Sequence, residues 1–244
     1  MKLSGQTILI TGGGSGIGLA LARDLSSKGN QVIICGRSEH KLKAAKQACP
    51  QLEFKTCDIT DESSSRHLSD FIRSEFPACN ILVNNAGVQY NYLFTDEQSH
   101  AAQIQTEINI NFLSQVKLTE LFLPHLLKQQ EAAIINVTSA LAVVPKENAA
   151  VYCASKSALR TFGKALRYQL EATPVRVFEI IPALVETEMT AGRGRDKISP
   201  ETVSKEAIRG IEAERYEIRI GKTKVLFALN RLLPSLAEKI IRRS

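Results

Sequence analysis

The run Thr7-Ile-Leu-Ile-Thr-Gly-Gly-Gly-Ser-Gly-Ile-Gly18 joins a short apolar segment to a glycine-rich loop, and a helical pattern opens immediately after it. Glycines at such a junction let the backbone turn tightly and approach a pyrophosphate. The helix N-terminus then presents free N–H groups and positive dipole to the same anion. A glycine-rich loop alone is compatible with a plain turn. One that follows the first strand and opens a helix has the context of a dinucleotide site. The spacing, Gly12-x-x-x-Gly16-x-Gly18, differs from Gly-x-Gly-x-x-Gly and lacks the Gly-Lys-Ser/Thr ending of a Walker loop. Thr11, Gly12, Gly14, Ser15, Gly16, Ile17 and Gly18 are the expected cofactor-binding residues here.

Outward from this loop, β-rich apolar runs alternate with amphipathic stretches. Thr7–Thr11, Gln31–Cys35, Leu52–Thr56, Ile81–Asn84, Ala133–Val137, Val175–Ile181 and Glu217–Ile220 read as strands. Several are apolar throughout, as strands buried on both faces of a parallel sheet are. Helical patterns lie between them, over roughly Gly16–Lys28, Glu39–Ala48, Asp61–Glu75, Thr106–Leu127, Val151–Glu171 and Pro200–Ala213. The alternation predicts an α/β fold, a Rossmann-like doubly wound parallel sheet of about seven strands with helices on both faces. No repeat or linker divides the chain, so residues 1–244 read as one NAD(P)-binding domain with a basic helical tail over about 222–244. The Gly- and charge-rich loop Glu186–Lys197 reads as a mobile lid.

The end of the second strand bears on cofactor choice. An acidic residue there would bind the ribose hydroxyls of NAD. This strand ends in Cys35-Gly36-Arg37-Ser38, where Gly36 leaves room and the Arg37 guanidinium suits a 2′-phosphate. NADP is the favoured cofactor over NAD, with Arg37 and Ser38 at the phosphate. A solvated arginine at a strand end is the competing reading.

The chain has 244 residues and is 44% hydrophobic, enough for a sizeable core. No apolar run approaches the length of a membrane span. The N-terminus runs straight into a strand pattern, leaving no room for a signal peptide. Cys35, Cys49, Cys57, Cys79 and Cys153 are odd in number and lack metal spacing, so free thiols in a cytoplasmic protein are the simplest account. His40, His67, His100 and His125 are scattered, and no metal site is expected. The net charge is +6, and Arg219–Ser244 alone, with seven Lys/Arg and one acidic residue, accounts for it. The first 218 residues are neutral, which argues against a nucleic-acid footprint.

Tyr152 and Lys156 stand four apart in Val151-Tyr-Cys-Ala-Ser-Lys-Ser157, so a helix puts both on one face. A nearby cation would favour phenolate and lower the pKa of the phenol, fitting it for proton exchange with an alcohol or carbonyl oxygen. The spacing alone is weak. Its weight comes from Ser139 thirteen residues upstream and from the glycine loop. Cys153 points away on the same helix and reads as packing.

Together these residues resemble the short-chain dehydrogenase/reductases, specifically their single-domain branch. Thr11 to Gly18, Asp58, Asn84-Asn-Ala-Gly87, Ser139 and Tyr152/Lys156 occur in order and at family spacing. Val32-Ile-Ile-Cys-Gly-Arg37 and Pro124-His-Leu-Leu-Lys-Gln129 look most like the DltE-type oxidoreductases. The resemblance covers the whole chain and implies hydride transfer between NADPH and a carbonyl or alcohol on a small, apolar substrate. It implies Asn111, Ser139, Tyr152 and Lys156 as catalytic residues. Tyr152 would exchange the proton and Lys156 would lower its pKa and bind the nicotinamide ribose. Ser139 would hold the substrate oxygen, and Asn111 would kink its helix and complete a proton relay. It places Asp58 and Ile59 at the adenine, Asn85, Ala86 and Gly87 along the adenosine ribose, and Pro182, Val185 and Thr187 at the nicotinamide. It also implies a homodimer or homotetramer built on the helices Thr106–Leu127 and Val151–Glu171.

One departure stands out. The family usually has Pro-Gly after the sixth strand, and this chain has Pro182-Ala183, which puts the loop shape in doubt. In the tail, Val225, Leu229, Leu232, Leu236 and Ile240 recur at helical spacing among Arg231, Lys239, Arg242 and Arg243, and Pro234 should break the helix. Helices covering the domain or a subunit contact are one reading. Contact with an anionic membrane or a lipophilic substrate entrance is the other. A non-catalytic NAD(P)-sensing protein on the same fold is the alternative function. Such proteins usually lose the tyrosine or the lysine.

Overall fold

The computed structural model describes residues 1–242, so Arg243 and Ser244 of the tail lie outside the described residues. Strands β1 (Thr7–Thr11), β2 (Gln31–Gly36), β3 (Glu53–Thr56), β4 (Cys79–Asn84), β5 (Ala132–Val137), β6 (Val175–Pro182) and β7 (Glu217–Ile220) form one sheet in the order β3-β2-β1-β4-β5-β6-β7. Every pairing is parallel, as the seven apolar runs predict. The chain builds outward from β1 to β3, then returns to β4 on the other side of β1. That reversal makes a crevice beyond the carboxyl ends of β1 and β4, where ligands of open α/β sheets bind.

The helices α1 (Gly16–Ser27), α2 (Glu39–Ala48) and α7 (Pro200–Glu212) cover one face, packing Leu21, Leu25, Leu42, Val203 and Ile211 on Ile8, Ile10, Val32 and Ile34. The other face carries α3 (Glu62–Glu75), α5 (Ser114–Leu126) and α6 (Ala150–Gln169). There Leu68, Ile72, Leu118, Phe122 and Leu166 meet Leu9, Ile33, Leu82 and Ile134. The period-2 alternation of the strands divides them between the two layers. Local chemistry sets the helix starts: Ser38, Asp61 and Ser199 each accept a hydrogen bond from a backbone N–H in the first turn of the helix they cap.

The stretch expected as one helix over Thr106–Leu127 differs. Helix α4 (Ala101–Ile108) starts earlier, and residues Asn109–Leu113 form a π-turn before α5. The cause is visible in Asn111, whose Oδ1 accepts from Val88 N at 2.9 Å and whose Nδ2 donates to Val88 O at 2.9 Å. The widened turn swings this side chain off the helix onto the loop after β4, and such turns recur at functional sites. The tail forms α8 (Thr223–Leu232) and α9 (Pro234–Ile241), broken at Pro234 as expected. Leu226 and Ala237 are buried there against Val144. No helix among the described residues is long and apolar enough to cross a membrane.

Candidate active site

The crevice is a cleft of about 1480 Å³, larger than the ~300–1,000 Å³ of an ordinary small-molecule site. It has room for a dinucleotide and a second molecule together. Of the expected residues, Gly12, Ser15, Gly16, Ile17, Arg37, Asp58, Ile59, Asn85, Ala86, Gly87, Ser139, Tyr152, Lys156, Pro182, Val185 and Thr187 line it. Thr11, Gly14, Gly18, Ser38 and Asn111 do not, and each has a structural task. The Thr11 hydroxyl donates to Val83 O at 3.2 Å and accepts from Asn85 N and Ala86 N, clamping the loops after β1 and β4. Gly14 packs against Lys41, and Ser38 caps α2. A Cβ on Gly18 would stand 2.4 Å from Gly12 O, so only glycine lets α1 press against the loop.

The chain fits a dinucleotide. Gly12 has φ +66°, the left-handed region that glycine enters at no steric cost. At the N-terminus of α1, Ser15 makes no side-chain cap and the first turn holds no acidic residue. The leading N–H groups are thereby left for an anion. At the far end Asp58 Oδ1 accepts from Thr60 N at 2.9 Å and Thr60 Oγ1 at 2.7 Å, which fixes its carboxylate at the cleft wall. Arg37 is exposed and carries no ion pair among the described residues. Lys41 lines the same end and is ion-paired to Glu188 of the 186–197 loop. Sequence reading missed this lysine, whose one signal is its place a turn beyond Arg37.

Tyr152, Lys156 and Ser139 meet in the other half. The helix places Lys156 Nζ 6.0 Å from the Tyr152 ring centroid, while Nζ itself donates to Val137 O at 2.9 Å. Asn111 Nδ2 also donates to Ser155 Oγ at 3.1 Å, tying the π-turn to α6 beside Lys156. The lowering of the tyrosine pKa expected from the lysine is not what the structure has. Burial pushes Tyr152 up to about 12, with the Ser139 hydrogen bond pulling it back. Burial likewise pushes Lys156 down to about 8. Both groups are withdrawn from water, and desolvation disfavours the charged form of each.

Ser139 has a second partner, since its Oγ accepts from Leu141 N at 3.1 Å and caps the short turn Ala140–Ala142. The preceding Thr138 hydroxyl donates to Glu179 Oε1 at 2.6 Å, and Arg160 bridges Glu179 to Glu217. This network anchors the end of β5 from below. Cys153 packs its Sγ against the Lys146 backbone, in line with its reading as packing. All five cysteines are free. The Ala183 departure is harmless: it has no positive φ, and its N–H donates to Ile220 O at 3.2 Å, so nothing there demands glycine.

The Glu186–Lys197 loop lies across the cleft and is tied down at several points. Lys197 Nζ donates to Thr190 O at 2.6 Å, Lys222 pairs with Asp196 at 2.9 Å, and Arg193 reaches Asn91 Oδ1 at 3.1 Å. The loop over 85–100 faces it. Its Tyr90 N and Tyr92 hydroxyl donate to Glu107, at 2.8 and 3.3 Å. Glu107 is wholly buried, and that burial pushes its carboxyl up. Val225, Leu226, Leu229, Ile240 and Ile241 of the tail form an apolar wall of the cleft. The tail thus covers the domain and also borders the cleft entrance. Lys146, Arg193 and Glu107 were not legible as site residues, because the fold alone brings their loops and helix to Tyr152.

The short chain dehydrogenase family model matches residues 6–198. The chain is 45% identical to an uncharacterized oxidoreductase, DltE, of Bacillus subtilis, over 88% of this chain and 83% of that protein. A short chain dehydrogenase from Burkholderia cenocepacia, solved in complex with NADP, superposes with a TM-score of 0.88 over 99% of both chains at 23% identity. A relative from Burkholderia phymatum, solved with NAD, gives 0.85 over 100% of this chain and 98% of that one, at 21% identity. At those identities the two structures speak for the fold.

Proposed function

The chain belongs to the short-chain dehydrogenase family, oxidoreductases that act on CH–OH groups with a nicotinamide acceptor, and we propose that it is an NADP(H)-dependent carbonyl reductase or alcohol dehydrogenase with Tyr152 as its acid–base. The observation that carries this is the convergence of Ser139, Tyr152 and Lys156 on one wall of the cleft whose far end is the glycine loop. The bound nicotinamide supplies or accepts the hydride. Ser139 Oγ and the Tyr152 hydroxyl hold the substrate oxygen and stabilise the charge that develops there. In reduction Tyr152 gives its proton to that oxygen, and in oxidation it takes one back. A phenol held near 12 carries its proton at neutral pH. Lys156, held near 8, releases and regains a proton easily, and Asn111 fixes the helix that carries it. Tyr152→Phe is expected to abolish turnover of any accepted carbonyl compound, followed by NADPH absorbance, while the NADPH dissociation constant stays within about twofold. Unchanged turnover refutes the assignment.

NADP over NAD rests on Arg37 and Lys41, two cations at the adenosine end. Steady-state rates with NADPH and NADH test it, and a strong NADH preference overturns the role given to Arg37. Self-association through α5 and α6 is supported by the exposed Leu113, Leu127 and Tyr168 on or next to these helices. Five free cysteines support a reducing, cytoplasmic setting.

A further inference from the structure

We propose that Lys146 and Arg193 form an anion subsite beside Tyr152, and that the substrate is an amphiphile carrying a carboxylate or phosphate together with an apolar chain. This rests on the reading that the substrate carbonyl meets Tyr152. Both cations line the same cleft as Ser139 and Tyr152. Lys146 sits on the turn before α6, with its backbone N–H held by Cys153 Sγ at 3.4 Å, one residue from the tyrosine. Arg193 lies opposite, on the loop that crosses the cleft.

The pairing of charges distinguishes these two. The acids of the 186–197 loop that line the cleft are already engaged, Glu188 by Lys41 and Asp196 by Lys222. Lys146 and Arg193 have no ion pair among the described residues. Arg193 is nonetheless held in place, since it donates to Asn91 Oδ1 at 3.1 Å, to Gln89 O at 3.4 Å and to Met189 O. Those acceptors are neutral, so they orient the guanidinium without cancelling its charge. Two like charges facing one half-buried space repel, and Arg193 adds to the burial that holds Lys146 below the usual lysine range. An anion between them relieves that repulsion and takes up donors that are already oriented. Glu107 is the carboxyl that Arg193 reaches electrostatically, but it is wholly buried and taken by Tyr90 N–H and the Tyr92 hydroxyl. Beyond the cations, Val225, Leu229 and Ile240 offer an apolar wall for the rest of the molecule.

Titration calorimetry on NADP-loaded protein tests this with a series of straight-chain oxo acids, their methyl esters and the matching phosphonates. The acid or the phosphonate is expected to bind on the order of 10- to 100-fold tighter than the ester, as charge-assisted bonds to one anion give. Whichever of the two wins identifies a carboxylate or a phosphate as the natural group. Lys146→Met and Arg193→Gln should each erase most of that preference, and Lys146→Arg should keep it. The preference should persist in Tyr152→Phe, so a failure of the acid–base assignment leaves this result standing. Equal binding of acid and ester, no binding of either anion at millimolar concentration, or a Lys146→Met variant that weakens acid and ester alike would overturn the proposal.

Discussion

Lys156→Met is expected to make the protein more stable near neutral pH. The Lys156 side chain is 3% exposed, and burial holds its ammonium near 8 against an ordinary 10.5. That displacement corresponds to roughly 3 kcal/mol against the charged form. The sign follows from which state binds the proton better. The folded pKa is depressed, so the unfolded chain holds the proton more tightly. The cost is therefore complete below about pH 8 and fades as pH rises toward 10.5. Methionine keeps the length of the side chain but loses the bond to Val137 O, at a cost of about 1 kcal/mol. The net gain is about 2 kcal/mol at pH 6.5, and linkage leaves almost none of it at pH 9.5. Urea unfolding followed by circular dichroism, at matched protein concentration and both pH values, measures it. A Lys156→Met difference that does not change between the two pH values would show that no desolvated ammonium is held there.

Two further outcomes follow from the packing. Gly18→Ala places a methyl 2.4 Å from Gly12 O, so α1 must retreat from the loop; a loss of about 1–3 kcal/mol is expected, with NADPH binding weakened at least tenfold, and binding equal to wild type contradicts it. Arg160→Met strands Glu179, whose side chain is 8% exposed, at a cost of about 3–5 kcal/mol near pH 8. Burial already raises the Glu179 carboxyl. A carboxyl raised in the fold stabilises fully only below its unfolded pKa, so the loss should shrink toward pH 5; melting temperatures with the same deficit at both pH values would refute this.

How much the sequence revealed depends on how local the cause was. All seven strands stand where their apolar runs lie, with ends differing by no more than two residues. The inner strands carry the near-continuous apolar runs of strands buried on both faces, and the edge strands β3 and β7 mix charged with apolar residues. Helices begin where Ser38, Asp61 and Ser199 signal a cap. The helical pattern over Thr106–Leu127 gave no sign of the π-turn at Asn109–Leu113, and only the family resemblance implied a kink at Asn111, because its cause is a bond from Asn111 to Val88, 23 residues away. Ala183 shows the converse: a local rule raised a doubt that the strand-end bond to Ile220 removes. Lys146 and Arg193 gave no signal, since a lone lysine or arginine in a loop is ordinary until the fold sets it opposite another.

The i, i+4 spacing of Tyr152 and Lys156 foretold a shared face, and the helix provides it, yet spacing says nothing of solvent. Side chains buried side by side in the cleft wall lose hydration together, so each neutral form gains at the expense of the charged one. That is why the tyrosine rises to about 12 while its lysine falls to about 8. In water the phenol, near 10.0, gives up its proton before the ammonium, near 10.5; in the cleft that order is reversed. In the proposed mechanism the phenol would keep its proton until a developing oxyanion draws it, and the neighbouring amine is the group that titrates closer to neutral pH. A site arranged this way answers to charge arriving from outside. An oxyanion forming at Ser139 and Tyr152, and an anion seated between Lys146 and Arg193, would each be met by donors already turned toward it.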